Sequence, residues 1–268
     1  MPFERVEELL LVKDATSDVL YGEDTNLNGM LDDQEDDGEL SSPLDDGNGT
    51  LDIGLFRFLT VYSSDKNVDG DGAERINISE SSARADLQSL LEETFDEERA
   101  MAVLLRIPDG TTFENIFDFH FRSGLESDEF EKIADRLTTS DETDLPGLIN
   151  INRAPWEVLV CLPGLEESDV ELLLNNRPED EEGIAWVVDV LEREKAVSIG
   201  ALVTGRSSQY SAYVVSVNQN GRGFQRAQIV IDPGASPAKM LYWKSISHMG
   251  WPLDREILET LRAGETLE

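Results

Sequence analysis

Residues 24–35, DTNLNGMLDDQE, carry oxygen-bearing side chains at positions 1, 3, 5, 9 and 12 of a twelve-residue stretch, with Gly29 at position 6. This is the spacing of a calcium loop, in which hard oxygen ligands surround one cation and a glycine makes the sharp turn. Asp24, Asn26 and Asn28 supply three side-chain oxygens. Met30 adds its backbone carbonyl, Asp32 holds a ligand water, and Glu35 closes the shell with both carboxylate oxygens. The chemistry expected here is Ca²⁺ binding.

The pattern recurs. Asn28-Gly29-Met30-Leu31-Asp32 returns as Asn48-Gly49-Thr50-Leu51-Asp52, and Asp65-Lys66-Asn67-Val68-Asp69-Gly70-Asp71 restores the odd-position spacing around another turn glycine. The second loop offers Asp46, Asn48, Thr50 and Asp52 but has Leu55 where a closing glutamate belongs. The third offers Asp65, Asn67, Asp69 and Asp71 and ends at Ile76. Both are open to two readings, a cation site or a hydrated turn cluster rich in Asn, Asp and Gly. If the first two loops pair, Leu31 and Leu51 are placed to face each other across a short bridge.

The elements that must carry these loops are mostly helical. Residues 4–20 read as two short helices broken near residues 14–17, with Thr16 or Ser17 as cap of the second and Val6, Leu9, Leu10 and Leu11 as the buried side. Residues 55–62 look like a helix end running into a short strand, residues 75–78 like an extended segment, and residues 82–91 and 97–105 like amphipathic helices. A second pass with the same pattern starts at Phe113: Phe113-Glu114-Asn115-Ile116 parallels Phe3-Glu4-Arg5-Val6, and Leu148–Asn152 parallels Arg75–Ser79. This is an internal duplication. Residues 154–161, Leu162-Pro163-Gly164-Leu165 and residues 168–176 form a helix-hairpin-helix, and a third start at Ile184 lacks its second half. Residues 210–217 and 225–231, rich in β-branched side chains, flank Asn218–Gly223 and predict an antiparallel hairpin. Short terminal elements follow at residues 239–246 and 254–262.

Among the 268 residues, 56 Asp and Glu against 22 Lys and Arg give a net charge of −34. Self-repulsion on this scale disfavours nucleic acid and anionic lipid as partners and favours cations or basic surfaces. The helix-hairpin-helix raises a DNA-binding reading, but Glu166 and Glu167 stand where a phosphate would approach the second helix, and they repel it. Cys161, within Val158-Leu159-Val160-Cys161-Leu162, reads as a small buried hydrophobe. His120, amid Phe117, Phe119 and Phe121, reads as a packed residue. Motifs of metalloproteases, serine hydrolases, phosphate loops and paired-cysteine sites are all missing from the sequence. No apolar run approaches membrane-spanning length, and Met1-Pro2-Phe3 starts no leader.

Three blocks in order carry a resemblance. Glu8-Leu9-Leu10-Leu11-Val12 precedes a Thr-started helix; Ile149-Asn150-Ile151-Asn152-Arg153-Ala154-Pro155-Trp156-Glu157-Val158-Leu159 runs into Leu162-Pro163-Gly164-Leu165; Ser207-Ser208-Gln209-Tyr210 leads into the hairpin. Together they resemble the periplasmic part of the type II secretion protein K family of minor pseudopilins, over most of residues 3–232. The resemblance implies a pilin-like α/β core with inserted helical domains and Ca²⁺ in Asp-rich loops. It also implies assembly with other minor pseudopilins at the tip of a periplasmic fibre, with no enzymatic activity and no small-molecule substrate. Anchoring to the inner membrane would run through an N-terminal helix that has no counterpart in these residues. The 22–54 acidic stretch also departs from the family pattern, so the ligands above are assigned from loop spacing.

The expected fold is therefore α+β and predominantly helical, with tandem SAM-like or helix-hairpin-helix units, a calcium-loop insertion and a C-terminal antiparallel β-hairpin. The expected domains are residues 1–108, 109–205 and 206–268. Two rivals stand beside the pseudopilin reading: a dockerin-like calcium-dependent cell-surface adhesion module, suggested by the repeated NGxLD, and a competence-type helix-hairpin-helix DNA-binding protein.

Overall fold

A computed structural model describes residues 3–38, 40, 45–179, 183–218, 221–234 and 237–264. The fold is mixed α+β. Contacts divide the chain into a continuous unit, Ser63–Ser208, and a discontinuous unit made of Met1–Tyr62 with Gln209–Glu268. Contacts thus do not divide at the expected boundary of 108/109, which falls within the continuous unit, and residues 1–62 join the C-terminal segment in one unit.

The discontinuous unit opens with a 3₁₀ turn, Val6–Leu11, and a short helix α1 (Ser17–Tyr21). Thr16 caps α1, its hydroxyl accepting from the Val19 N–H at 3.3 Å. Leu20 and Phe56 are buried, and the Tyr21 and Phe56 rings lie 5.3 Å apart. The apolar run before α1 does not bury as expected: Leu10 is 39% and Leu11 86% exposed. At three residues per turn, consecutive leucines fan around the axis and cannot share one face.

In the continuous unit the chain runs β1 (Ser64–Lys66), β2 (Ile76–Asn77), α2 (Arg84–Thr94), α3 (Glu97–Arg106), α4 (Ile116–Ser123), α5 (Ser127–Ala134), β3 (Leu137–Thr138) and β4 (Asp144–Pro146). It continues through β5 (Ile149–Asn150), α6 (Trp156–Leu159), α7 (Glu167–Asn176), α8 (Val187–Val190), α9 (Arg193–Ile199) and β6 (Val203–Thr204). β2 pairs in parallel with β3, and β5 in parallel with β6, in matching registers: Ile76 opposite Leu137 and Ile149 opposite Val203. One order, a strand, four helices and a closing parallel strand, thus occurs twice. The duplication has a different phase from the one the sequence pattern suggests. Phe113 leads into α4 and Ile184 into α8, the same place in the two copies, so neither begins a copy. Apolar residues just ahead of a helix recur at many helix starts, which is why the pattern at Phe3 matched as well.

Both copies feed one core, in which Phe117, Phe119, Phe130, Ile133, Ile151, Leu159, Leu173 and Ile199 are fully buried. Helix entries are set locally. Asn115 accepts from the Phe117 and Asp118 N–H groups at the start of α4, and capping boxes join Glu126 to Glu129 and Glu166 to Asp169. The Arg99 guanidinium hydrogen-bonds Glu129 and holds its carboxyl down at about 2, despite some opposing burial. Cys161 is exposed, contrary to its expected burial, because it turns outward between the buried Leu159 and Leu162; its Sγ donates to the Glu157 carbonyl.

The Ile-Asn-Ile-Asn run at the second copy's start has a physical account. Asn150 Oδ1 accepts from the Asn152 N–H at 2.9 Å, fixing the turn. Asn152 is buried; its Nδ2 donates to the carbonyls of Gly183 at 3.0 Å and Gly205 at 3.2 Å, and its Oδ1 accepts from Trp186 Nε1 at 2.9 Å. Asn152→Ala strands the Trp186 indole N–H and two carbonyls, so a loss of about 2–4 kcal/mol is expected from urea unfolding. An unchanged midpoint would refute that role.

His120 is expected to make the continuous unit sensitive to acid. It is 8% exposed, its ring lies 4.8 Å from the Phe130 ring centre, and Nδ1 is buried without a hydrogen-bond partner. Burial pushes its pKa below the ordinary value of 6.5, with Asp189 and Glu126 opposing only in part. The unfolded chain therefore binds the proton more readily. Stability should be complete above about pH 6.5 and fall as pH drops below it. His120→Phe should flatten the decline of melting temperature between pH 6.5 and 5; a slope unchanged by the substitution would count against it.

After the continuous unit come β7 (Tyr210–Val217), β8 (Phe224–Asp232), β9 (Lys239–Ser245) and α10 (Arg255–Ala263), the last capped by Asp254. β7 and β8 form the expected hairpin, Tyr210 opposite Ile231 through Val217 opposite Phe224. Of its turn, Gln219 and Asn220 lie outside the described residues. The hairpin is not alone: β9 adds antiparallel to β8, with Trp243 opposite Ile229, giving a three-stranded sheet ordered β7-β8-β9. Among the described residues, no helix is long and apolar enough to cross a membrane.

Candidate metal centre

The loop of residues 24–35 is wound around its own carboxylates. Asp24 accepts from the backbone N–H of Asn28 at 2.9 Å and of Gly29 at 3.0 Å, so the first ligand position grips the turn. Gly29 has φ of +71°, and a Cβ there would meet the Arg57 guanidinium at 3.1 Å, so glycine serves both the turn and that close approach. Glu35 reaches back, Oε1 accepting from the Thr25 N–H at 3.2 Å and Oε2 from the Asp32 N–H at 3.2 Å. The Asn26 and Asn28 amides donate to Asp32 Oδ2 at 2.6 and 3.0 Å, and Asn28 Oδ1 accepts from the Met30 N–H at 2.8 Å. The six positions named from spacing are thereby drawn into one hydrogen-bonded turn.

The loop crowds carboxylates together, and the buried Arg226 guanidinium offsets the Asp24 charge in part. Asp24 and Glu35 are 4% and 3% exposed. Burial raises the Glu35 pKa above 4.5, and the nearby charges of Asp24 and Asp32 raise it further against two backbone hydrogen bonds. Asn26 Oδ1 is buried with no partner. Among the described residues, no lysine or arginine forms a salt bridge with Asp24, Asp32 or Glu35. Also among the described residues, no group of three or more His, Cys, Asp or Glu side chains is placed to hold a metal. The loop's donors are of another kind, two amides and a backbone carbonyl beside the carboxylates. Asn26 Oδ1 offers an oxygen free of hydrogen bonds, the hard donor Ca²⁺ prefers, while Asn28 Oδ1 is held by the Met30 N–H at 2.8 Å. On the donor set, the stranded amide oxygen and the crowded carboxylates, the residues fit a calcium ion. A cleft lined by Thr25, Asn26, Asp32, Gln34, Glu35, His248 and Met249 opens onto this side of the loop.

The second loop is arranged otherwise. Asp46 accepts from the Asn48 N–H and Asn48 from the Thr50 N–H, both local turns. Asp52 leaves the loop: its N–H donates to Glu23 Oε2 and its carbonyl accepts from the Glu23 N–H, beside a bridge between Gly22 and Ile53. The two loops are therefore tied at Gly22 and Ile53, not at Leu31 and Leu51. The chain passes so closely there that a Cβ at Gly22 would overlap the Asp52 carbonyl. The carboxylates that organise the second turn are ones loop spacing missed. Asp45 accepts from the N–H groups of Asp37, Gly38 and Gly47, and Asp36 from that of Gly49 at 2.9 Å. Only the density of Asp before the turn hinted at them. Residues 39 and 41–44 of this stretch lie outside the described residues.

The third loop lies in the continuous unit and is a hairpin turn. Asp65 Oδ1 accepts from the Ser208 hydroxyl, and Asn67 Nδ2 donates to the carbonyls of Ser140 at 3.1 Å and Glu142 at 2.9 Å. Asp69 Oδ1 accepts from the N–H groups of Asp71 and Ala73, and Val68 bridges Glu74. Asp65 and Asn67 Nδ2 bond toward Ser208, Ser140 and Glu142, Asp69 closes its own turn, and Asn67 Oδ1, like Asn26 Oδ1, is buried without a hydrogen-bond partner.

Elsewhere in the continuous unit, a cleft of about 330 Å³ takes its walls from both copies, including Ile116, Leu137, Thr138, Ile184, Val203 and Thr204. At its rim Asp135 is shared by Arg75 and Arg206 and is held below the usual carboxylate range by these bonds, against burial. The start of α7 carries the Glu166 and Asp169 carboxylates, Asp169 being bound by Lys195. Comparison with known proteins finds no matching family model, no matching curated protein and no matching solved structure.

Proposed function

We propose that this chain is a calcium-stabilised, non-enzymatic scaffold of minor-pseudopilin type, which assembles with other minor pseudopilins at the tip of a periplasmic secretion fibre. The observation that carries the calcium part is the loop of residues 24–35, where Asp24 grips the turn at Asn28 and Gly29 while Glu35 returns to its start. The assembly part rests on the ordered motifs of residues 8–12, 149–165 and 207–210. The repeated strand, four-helix and strand order of the continuous unit and the antiparallel sheet built by Gln209–Glu268 are compatible with it. On this reading the two copies are the tandem SAM-like units.

Asp24, Asn26, Asn28, Asp32 and Glu35, with the Met30 carbonyl, would hold the ion. A bound calcium would neutralise the crowded carboxylates and cross-link the two ends of the loop. The protein's own contribution is preorganisation. The hydrogen bonds from Asn28 and Gly29 set the Asp24 carboxylate before any ligand arrives, and the left-handed Gly29 aims the middle of the loop inward. A loop fixed in this way presents neighbouring surfaces in one pose for docking.

The test is co-purification with candidate minor pseudopilins, at millimolar calcium and with chelator. Recovery of a stoichiometric complex that weakens on chelation is the expected result. Capture of cell-surface proteins with no pseudopilin among them would favour the dockerin-like alternative. A salt-sensitive mobility shift with DNA would favour the third reading.

A further inference from the structure

The geometry points to Arg226 as the positioning residue that clamps the loop of residues 24–35 to the three-stranded sheet, so that ion binding in the loop orders residues 246–251. This inference rests on the calcium reading of that loop.

Arg226 lies on β8, the central strand, opposite Val215 of β7. It is 2% exposed, the one buried lysine or arginine among the described residues. Its guanidinium spans two segments distant in sequence. Nη2 donates to the Leu27 carbonyl at 3.2 Å and Nη1 to the Gly250 carbonyl at 3.2 Å. Both carbonyls belong to residues in unusual backbone conformations, Leu27 at φ +54° and Gly250 at φ +90°. A leucine adopts that conformation at a cost, so a specific partner for its carbonyl is a reason for it to persist. The backbone of Arg226 holds the same turn: its N–H donates to Ser247 Oγ at 2.9 Å, and its carbonyl accepts from the Ile246 N–H at 3.0 Å.

The turn held in this way abuts the candidate ion site. His248 and Met249 line the cleft that also takes in Asn26, Asp32 and Glu35. Loop and turn are thus joined through the guanidinium and face each other across the cleft. Charge alone would argue against an arginine here, because a buried cation repels an incoming divalent ion. The planar fork accounts for its presence, since it reaches two carbonyls at once, which an ammonium cannot do with the same geometry. Coupling through such a contact is reciprocal: whatever ion binding does for the turn, order in the turn does for ion affinity.

The experiment compares wild type with Arg226→Lys and Arg226→Met, using calcium titration calorimetry and amide hydrogen exchange with calcium and with chelator. In wild type, calcium should slow exchange both within residues 24–35 and at residues 246–251. Arg226→Lys keeps the charge and loses the fork; it should weaken calcium binding about tenfold and confine protection to residues 24–35. Arg226→Met should weaken binding as well. If Arg226→Met binds calcium as tightly as wild type or more tightly, charge repulsion dominates and the clamp is overturned. The wild-type arm needs no substitution: protection of residues 24–35 without protection of residues 246–251 also overturns the coupling. If wild type neither binds calcium nor changes its exchange, the calcium reading itself fails. The clamp then stands or falls on the chelated protein, where Arg226→Lys must speed exchange at both residues 26–30 and residues 246–251.

Discussion

Glu35→Gln is expected to abolish the rise in melting temperature that millimolar calcium gives the wild-type protein. An ion at a hundredfold excess over its dissociation constant stabilises the folded state by about 2.7 kcal/mol. For a unit of this size that corresponds to a rise of about 5–10 °C. Glutamine keeps the shape but offers one neutral oxygen in place of a bidentate carboxylate, so the closing ligand is lost. With chelator present, relief of the crowding against Asp24 and Asp32 is offset by the loss of one acceptor for the Thr25 or Asp32 N–H, so the variant should lie within about 1 kcal/mol of wild type. That pair of outcomes separates ligand loss from simple damage, which would lower stability in both conditions.

The pH dependence follows from the same crowding. Burial and two neighbouring carboxylates raise the Glu35 pKa above 4.5. A group raised on folding contributes stability fully below its unfolded pKa and loses that contribution as pH rises through the folded value. The ion-free protein should therefore lose stability at this group as pH rises, and the stabilisation given by calcium should grow over the same window as the carboxylate ionises. A calcium effect independent of pH from 4 to 7, or one retained in Glu35→Gln, would exclude Glu35 as a ligand.

Phe130→Ala should be strongly damaging to the continuous unit, costing about 3–5 kcal/mol as a buried aromatic ring is replaced by a cavity. Phe130 is fully buried, 6.5 Å between ring centres from Phe117 and 4.8 Å from His120, within the core shared by both copies. Leu105→Ala makes the control: Leu105 lies on the neighbouring α3 but is 75% exposed, and its loss should cost less than about 0.5 kcal/mol. Trp156 and Trp186 report on this unit, and Trp243 and Trp251 on the discontinuous one. Urea unfolding followed by fluorescence in a Trp243→Phe, Trp251→Phe background reads the continuous unit alone. An equal loss for both alanine variants would mean that burial of Phe130 does not carry the core.

The pieces legible in the sequence were those set by neighbours along the chain. Thr16 before α1 and the Asn218 side chain at the end of β7 both bond to backbone groups a few residues away. The winding of residues 24–35 belongs here too, since Asp24 meets N–H groups only four and five residues on. Cys161 marks the limit of such reasoning. Five apolar residues in a row look buried, but a single helical turn shows only one side to the core, and Leu159 and Leu162 took it. β9 was hidden for a related reason. Nothing in Lys239–Ser245 names β8 as its partner, and pairing energy appears only when the partner is in place.

What the sequence by itself determined is the local chemistry: the candidate calcium loop with its turn glycine, the Thr16 cap, the β7–β8 hairpin and the strongly acidic balance. All of these depend on contacts within a few residues, where spacing is geometry. Only the tertiary structure decided where each copy of the duplication begins, that residues 1–62 and 209–268 share one unit, and that Arg226 meets Leu27. Those facts join residues tens to hundreds of positions apart, and a one-dimensional pattern carries no information on which distant carbonyl a buried guanidinium will find.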